Sequence, residues 1–266
     1  METTEIVTPE DPRRFGGIAR LYGEAGRARL AAARVCVVGI GGVGSWAAEA
    51  LARSGVGHLT LIDLDHVAES NINRQIHACD ATLGQAKVEA MRERIAGINR
   101  ACVVTVVDDF VTIDNAAALL GSGFDYVIDA IDAVRVKMAM VMFCRDTGLP
   151  LVTCGAAGGQ LDPTQIRVAD LSRTEQDPLL AKVRRQLRQN HGFPRDVRRK
   201  FGIEAVYSAE PLHYPAAEAA CDMPASAPAG LNCTGFGSVV TVTACMGLFA
   251  AARVINGLTA VPVEAR

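Results

Sequence analysis

Short runs of β-branched and aliphatic residues alternate along this chain with longer stretches whose apolar positions recur every three or four residues. The stretches 34–39 (RVCVVG), 58–63 (HLTLID), 102–107, 126–130 and 151–154 read as strands. Such short, nearly continuous apolar runs suit a sheet covered on both faces. Between them, 45–54, 84–98, 113–120 and 137–147 carry helical spacing, with Lys87, Glu89 and Arg92 on the wet side of the second and Gly148 and Pro150 closing the last. The alternation predicts an α/β protein with a Rossmann-like nucleotide-binding fold over residues 1–155. Beyond 155 the rhythm changes. Gly158 and Gly159 followed by 165–168 predict a hairpin, and 204–207 a further strand, so a mixed sheet extended by antiparallel strands is expected. Pro211, Pro215, Pro224 and Pro228 mark a long irregular loop near 211–232, expected to be mobile. Residues 236–258 form a long, almost uncharged run that by length alone reaches across a bilayer. Its threonines, its serine and Arg253 make a buried terminal helix the better reading, with membrane association the minority one. The expectation is one domain over 1–266, with 156–266 as a substrate and dimer half.

Composition narrows the class. Half of the 266 residues are apolar and 21% are charged, which suits a chain folded throughout and excludes a mainly disordered one. The net charge of −2 gives no general reason to expect a polyanion. The average hides one segment: 182–200 holds eight basic residues, Lys182, Arg184, Arg185, Arg188, Arg195, Arg198, Arg199 and Lys200, against the single acid Asp196. That density reads either as a solvated face or as a site for a phosphate backbone. Phe193, Phe201 and Tyr207 flank the run, and packing is the better reading for them than stacking on bases. The eight cysteines form no CxxC pair, so reduced thiols in a cytoplasmic protein are expected and a structural zinc site is not. The first residues have no apolar segment of the kind a secretory signal needs.

Candidate chemistry gathers in the first half. Gly39-Ile40-Gly41-Gly42-Val43-Gly44 is a G-x-G-x-x-G between a strand and a helix. There Gly39 allows a tight turn, Gly41 and Gly42 clear room for phosphates, and Gly44 permits close helix packing. Asp63 ends the second strand, where a carboxylate accepts bonds from ribose hydroxyls. A glycine loop with one acid most often serves a nicotinamide or flavin coenzyme. The following residues argue otherwise: Asp65, Asn71, Arg74 and Gln75 come close behind Asp63, Lys87 opens a helix, and Asp129 and Asp132 stand at the end of the fourth strand. An arginine, a lysine and paired acids suit a triphosphate with a metal ion. His77 is placed either near the phosphates or in a structural role, the latter being commoner for a loop histidine. The histidines at 58, 66, 191 and 213 form no ligand-spaced pair, and Trp46 is expected in the core.

Five separated motifs in this order resemble the adenylyltransferases related to ubiquitin-activating enzymes, which include the activators of sulfur-carrier proteins in thiamine and molybdopterin synthesis. The resemblance implies that Asp63 holds ribose, that Asn71, Arg74 and Lys87 bind the phosphates of ATP with Gln75 alongside, and that Asp132 holds Mg²⁺, with Asp129 a weaker candidate. It also implies catalytic roles for Arg74, Lys87 and Asp132. In carrier-activating relatives an arginine enters the nucleotide site of a partner subunit. Here Gly17 occupies one of the two usual places, which leaves Arg14, counted with the nucleotide-binding set, or Arg20. Within the superfamily, RFGGIARLYG at 14–23, NRQIHA at 73–78 and GGQLDPTQI at 158–166 resemble the tRNA threonylcarbamoyladenosine dehydratase branch. That likeness implies ATP-dependent closure of a threonylcarbamoyl group on tRNA to a cyclic oxazolone by a homodimer. The basic run 182–200 would hold the tRNA backbone. The alternative within the superfamily is adenylation of the C-terminus of a small sulfur-carrier protein, with sulfur-transfer proteins as partners. Cys221 and Cys233 would then accept sulfur or form a thioester. With no basic cluster beside them to lower their pKa, ordinary thiols are the preferred reading.

Overall fold

The computed structural model describes residues 12–214 and 236–260. Helix α1 (Pro12–Ala32), broken at Gly23 where φ is +73°, leads into strand β1 (Arg34–Val38). Then come α2 (Gly44–Arg53), β2 (His58–Ile62), α3 (Lys87–Ile98), β3 (Val103–Val107), α4 (Ala116–Leu120), β4 (Tyr126–Asp129), α5 (Val134–Thr147) and β5 (Leu151–Cys154). The second half adds β6 (Ile166–Asp170), α6 (Pro178–Asn190), β7 (Glu204–Ser208) and α7 (Val240–Thr259). The strands form one seven-stranded sheet in the order β3-β2-β1-β4-β5-β7-β6. All neighbours run parallel except β6, which is antiparallel to β7.

Alternation along β1 explains why both faces are covered. Val35 and Val37 enter one core with Leu51 of α2, Met91 of α3 and Met246 of α7. Cys36 and Val38 enter the other, with Leu120 of α4, Met140 of α5 and Leu187 of α6. Side chains two apart share a face, so a buried central strand must be apolar throughout.

Several expectations change. The predicted hairpin after Gly158-Gly159 does not form: β6 pairs with β7, Ile166 opposite Ser208 and Asp170 opposite Glu204, while β7 lies parallel to β5. The edge of β5 that a hairpin strand would need is taken by β7, which leaves β6 to pair on the outer side of β7, while Gly159 N–H donates to Gly237 O at 2.8 Å. The helix expected from 84 begins at Lys87, because Gly84 has φ +81° and 84–87 pairs instead with 65–67 through Gly84 N–H to Val67 O and Lys87 N–H to Asp65 O. The helix expected from 113 begins at Ala116, after Thr112 and Asn115 cap each other. Helix α1 had no counterpart among the predicted elements.

The terminal apolar run becomes α7, long and apolar enough to cross a membrane by length and composition. Its stripe of Val242, Met246, Ala250 and Val254 is buried within the protein. The aromatic residues flanking the basic run pack as expected: Phe193 meets Phe201 edge-on at 4.8 Å, and both are buried with Tyr207. Most of the 211–232 loop, including Cys221, lies outside the described residues, and so does Cys233.

A candidate nucleotide site at the switch point of the sheet

From β1 the chain steps outward through β2 to β3, then returns to β4 on the other side of β1. Connections that diverge in this way leave a crevice at the carboxyl ends of the strands, where open α/β sheets bind ligands. A cavity of about 490 Å³ lies there, within the size range of small-molecule sites. The glycine loop after β1, Asp63 after β2, residues 130–133 after β4 and 155–158 after β5 all line it.

Each glycine of the loop has its own reason. At Gly39, with φ +88°, a Cβ would stand 2.9 Å from Ile131 Cγ2 and 3.0 Å from the Ala130 carbonyl. At Gly44, outside the lining, it would fall 1.7 Å from Gly39 O, so only glycine lets α2 start against its own loop. Gly41 faces open space, with nothing within 4 Å of its Cβ position, as a phosphate-facing position requires. Gly42 differs from expectation. Its Cβ would meet Thr243 at 3.1 Å and Arg74 Cγ at 3.4 Å, so the missing side chain makes room for protein as well as for ligand. No side chain caps the start of α2, although Ser45 N–H donates to Gly41 O at 3.1 Å, so the positive end of the helix dipole remains for an anion.

The polar residues converge. One oxygen of Asp63 accepts from Ile40 N–H at 2.6 Å and the other from Asp65 N–H at 2.8 Å. Burial raises its pKa, against the lowering effects of Lys87 and these backbone bonds. Lys87, almost wholly buried, donates to the half-exposed Asp65 at 2.7 Å. Such a pair is open to competition from a stronger anion. Asn71 accepts from Ala68 N–H at 3.0 Å, and its own carbonyl receives the N–H groups of Arg74 and Gln75. Arg74 donates to Ser70 O at 2.7 Å and Asn73 Oδ1 at 2.9 Å. Burial lowers its pKa. Asn71, Arg74, Gln75, Lys87 and Asp132 all line the cavity, Asp132 as an exposed carboxylate at its rim.

Some expected residues lie elsewhere. Arg14, at the start of α1, donates to Ile98 O and does not line the cavity. His77 is buried but is not part of the lining. Asp129 is fully buried against Lys137 and Thr153. Trp46 is only half-buried, and its indole N–H donates to Arg74 O at 3.0 Å, which holds the arginine turn in place.

Residues that sequence reading passed over also line the site: Phe110 and Val111 after β3, and Phe236, Ser238 and Thr243 around the start of α7. Pro178, the first residue of α6, lines it as well, and the Asp-Pro pair at 177–178 carries a local helix-start signature that was there to be read.

Comparison with known proteins narrows the class further. Residues 16–265 match the ThiF family. The chain belongs to the ThiF family. Among its relatives is the tRNA threonylcarbamoyladenosine dehydratase of Escherichia coli strain K12, 52% identical over 259 residues that cover 96% of this chain and 97% of the relative. The crystal structure of the E. coli tRNA N6-threonylcarbamoyladenosine dehydratase TcdA in complex with ATP matches with a TM-score of 0.85 at 49% identity, over 95% of this chain and 96% of that one. The AMP complex of the same enzyme gives 0.84 over 95% and 97%, also at 49% identity. This ThiF-family chain therefore shares its mostly parallel, Rossmann-like sheet with an enzyme whose structure has been solved with both nucleotides.

Proposed function

We propose that this ThiF-family protein is an ATP-dependent tRNA threonylcarbamoyladenosine dehydratase. The observation that carries the reading is the cavity itself, where the open Gly41, Arg74, Lys87 and Asp132 face one space at the switch point. Its support is the near full-length likeness to an enzyme of that name solved with ATP and with AMP.

In this reading the substrate carboxylate attacks the α-phosphorus of ATP and the bond to pyrophosphate breaks, giving an acyl-adenylate. The ureido oxygen of the same group then attacks the acyl carbon, AMP leaves with the former carboxylate oxygen, and the ureido nitrogen loses its proton as the oxazolone ring closes. An intramolecular nucleophile already sits beside its target, so no protein nucleophile is required. Asp63 accepts the ribose hydroxyls. Gly39, Gly41, Gly42 and Gly44 shape the loop and the start of α2 toward the phosphates, with Asn71 and Gln75 beside them. Arg74 and Lys87 balance charge on the phosphates as the bond to pyrophosphate breaks, Lys87 exchanging Asp65 for the nucleotide.

Among the described residues no group of three or more His, Cys, Asp or Glu forms a metal cage. One rim carboxylate fits a Mg²⁺ that arrives with the nucleotide, because this ion is commonly held by one or two carboxylates together with phosphate oxygens and water. Asp132 would hold it there, and the ion would neutralise phosphate charge.

Arg14 reaches a nucleotide only from a second copy in this reading, which makes the working form a homodimer. The tRNA lies along the exposed basic residues of 182–200, and the protein works in the cytoplasm. Activation of a sulfur-carrier protein is the rival.

The deciding experiment digests tRNA carrying threonylcarbamoyladenosine after incubation with the protein and ATP, and weighs the nucleosides. Loss of one water with the native protein, and none with Asp132→Ala, is expected. No loss with the native protein, together with pyrophosphate exchange driven by a carrier protein, would replace this reading by its rival.

A further inference from the structure

Beneath the cavity floor lies a charged group that none of the steps above uses. Lys137 of α5 and Asp129, the last residue of β4, are both fully buried. Lys137 Nζ stands 3.0 Å from Asp129 Oδ1 and donates to Thr153 Oγ1 at 3.2 Å. Thr153 in turn donates to Asp129 Oδ2 at 2.6 Å. Asp129 and Thr153 are register partners across β4 and β5, so an ammonium, a carboxylate and a hydroxyl close a ring that joins two strands to one helix. Buried ion pairs are poor stabilisers, and well-packed apolar residues of similar volume often serve a fold as well or better. Stability is therefore a weak reason for this trio.

The continuation of each strand supplies a stronger one. After Asp129 come residues 130–133, which line the cavity and carry Asp132. Asp129 Oδ1, the oxygen that meets Lys137, also accepts from Ile131 N–H at 3.3 Å inside that turn. The Ala130 carbonyl packs against Gly39 of the glycine loop. After Cys154 come residues 155–158, a second wall of the cavity. Their Ala156 N–H is held at 2.9 Å by Asp177, a second buried carboxylate, which caps α6 and also feels the charge of Lys137.

We propose that Lys137 is a positioning residue for the adenylation step. Through Asp129 and Thr153 it locks the Asp132 turn to the 155–158 wall, and so sets the spacing between the nucleotide phosphates and the acceptor carboxylate. It touches neither. This rests on the nucleotide-activating reading of the same cavity.

Thr153→Val is the cleanest test, since it keeps the branched shape and removes only the hydroxyl. The variant should keep its thermal midpoint within a few degrees and its ATP affinity at saturating Mg²⁺ within about twofold, yet lose about tenfold in kcat. The Mg²⁺ concentration that half-saturates ATP binding, measured by calorimetry without tRNA, should rise severalfold. Lys137→Met should lose more and Lys137→Arg should recover part of the loss. A merely structural role would instead lower the thermal midpoint and leave both kcat and the Mg²⁺ requirement of the folded fraction unchanged. That result in Thr153→Val overturns the proposal whether or not Lys137→Met folds. If native protein proves inactive on modified tRNA, the substrate reading fails, while the calorimetry still decides whether the trio positions the nucleotide site.

Discussion

His77 shows how much one side chain can depend on its surroundings. It is buried, neither ring nitrogen has a hydrogen-bond partner among the described residues, and Lys87 and Arg94 are close enough to oppose its protonation. Burial first, and these two cations second, push its pKa down from 6.5 to about 4. The folded state thus favours the neutral ring. Its contribution is fully present above pH 6.5 and is lost as the pH falls toward 4, by an amount on the order of 3 kcal/mol. Denaturant titrations at pH 7 and pH 4 should show this loss in the native protein. His77→Gln should lose less over the same window, and an equal loss would remove His77 as its source. The sequence placed this histidine in a loop beside Arg74. Only the packing could show that it turns away from the cavity and cannot serve as an acid there.

At the level of elements, the packing of α2 against α7 governs the site. At Gly247 a Cβ would meet Val43 O at 2.4 Å, Trp46 Cβ at 2.8 Å and Ala47 N at 2.9 Å, so the two helices touch backbone to backbone. Trp46 from α2 donates to Arg74 O at 3.0 Å, and the Thr243 hydroxyl from α7 lies 3.4 Å from the same oxygen. Gly247→Ala should force the helices apart at a cost of about 1–3 kcal/mol, a usual penalty for overpacking. It should also weaken ATP binding through the displaced arginine turn. Denaturation midpoints and an ATP titration check both halves, and unchanged ATP affinity in a destabilised variant would separate the helix packing from the site. That 236–258 would form a buried terminal helix was legible from its length and near lack of charge, with the helix itself starting at Val240. Its service as a cavity wall was not, because nothing in an apolar stripe names the surface it will meet.

For the whole molecule, the basic segment divides by geometry. Arg184 donates to Thr174 Oγ1, while Arg188 donates to Pro194 O at 3.2 Å and lies over the Phe201 ring. These two tie α6 to its neighbours. Arg198 is exposed but paired with Asp196, and Lys182, Arg185, Arg195, Arg199 and Lys200 point to solvent and are the residues available to a polyanion. Reversing Lys182, Arg185, Arg199 and Lys200 to Glu should weaken tRNA binding and flatten its salt dependence, the slope falling by roughly one for each phosphate that is no longer neutralised. ATP binding should be unaffected. Filter binding across a salt series measures this, and an unaltered slope would make the segment an ordinary solvated face. Charge density alone could not make the division, since all eight cations look alike along the chain.

The alternation of apolar runs and helical spacing was enough to specify a parallel sheet with crossover helices, because a strand buried on both faces and a helix buried on one must announce themselves by period. The glycine loop and the Asp63 to Lys87 cluster were legible for a similar local reason: these residues act within a few turns of each other around β1 and β2. Tertiary structure alone decided the pairing of β6 with β7, the return of α7 to the glycine loop, and the union of Lys137 with Asp129 and Thr153. Each of these joins segments that share no local periodicity, and only the order of strands and the packing of helices on the sheet bring them together.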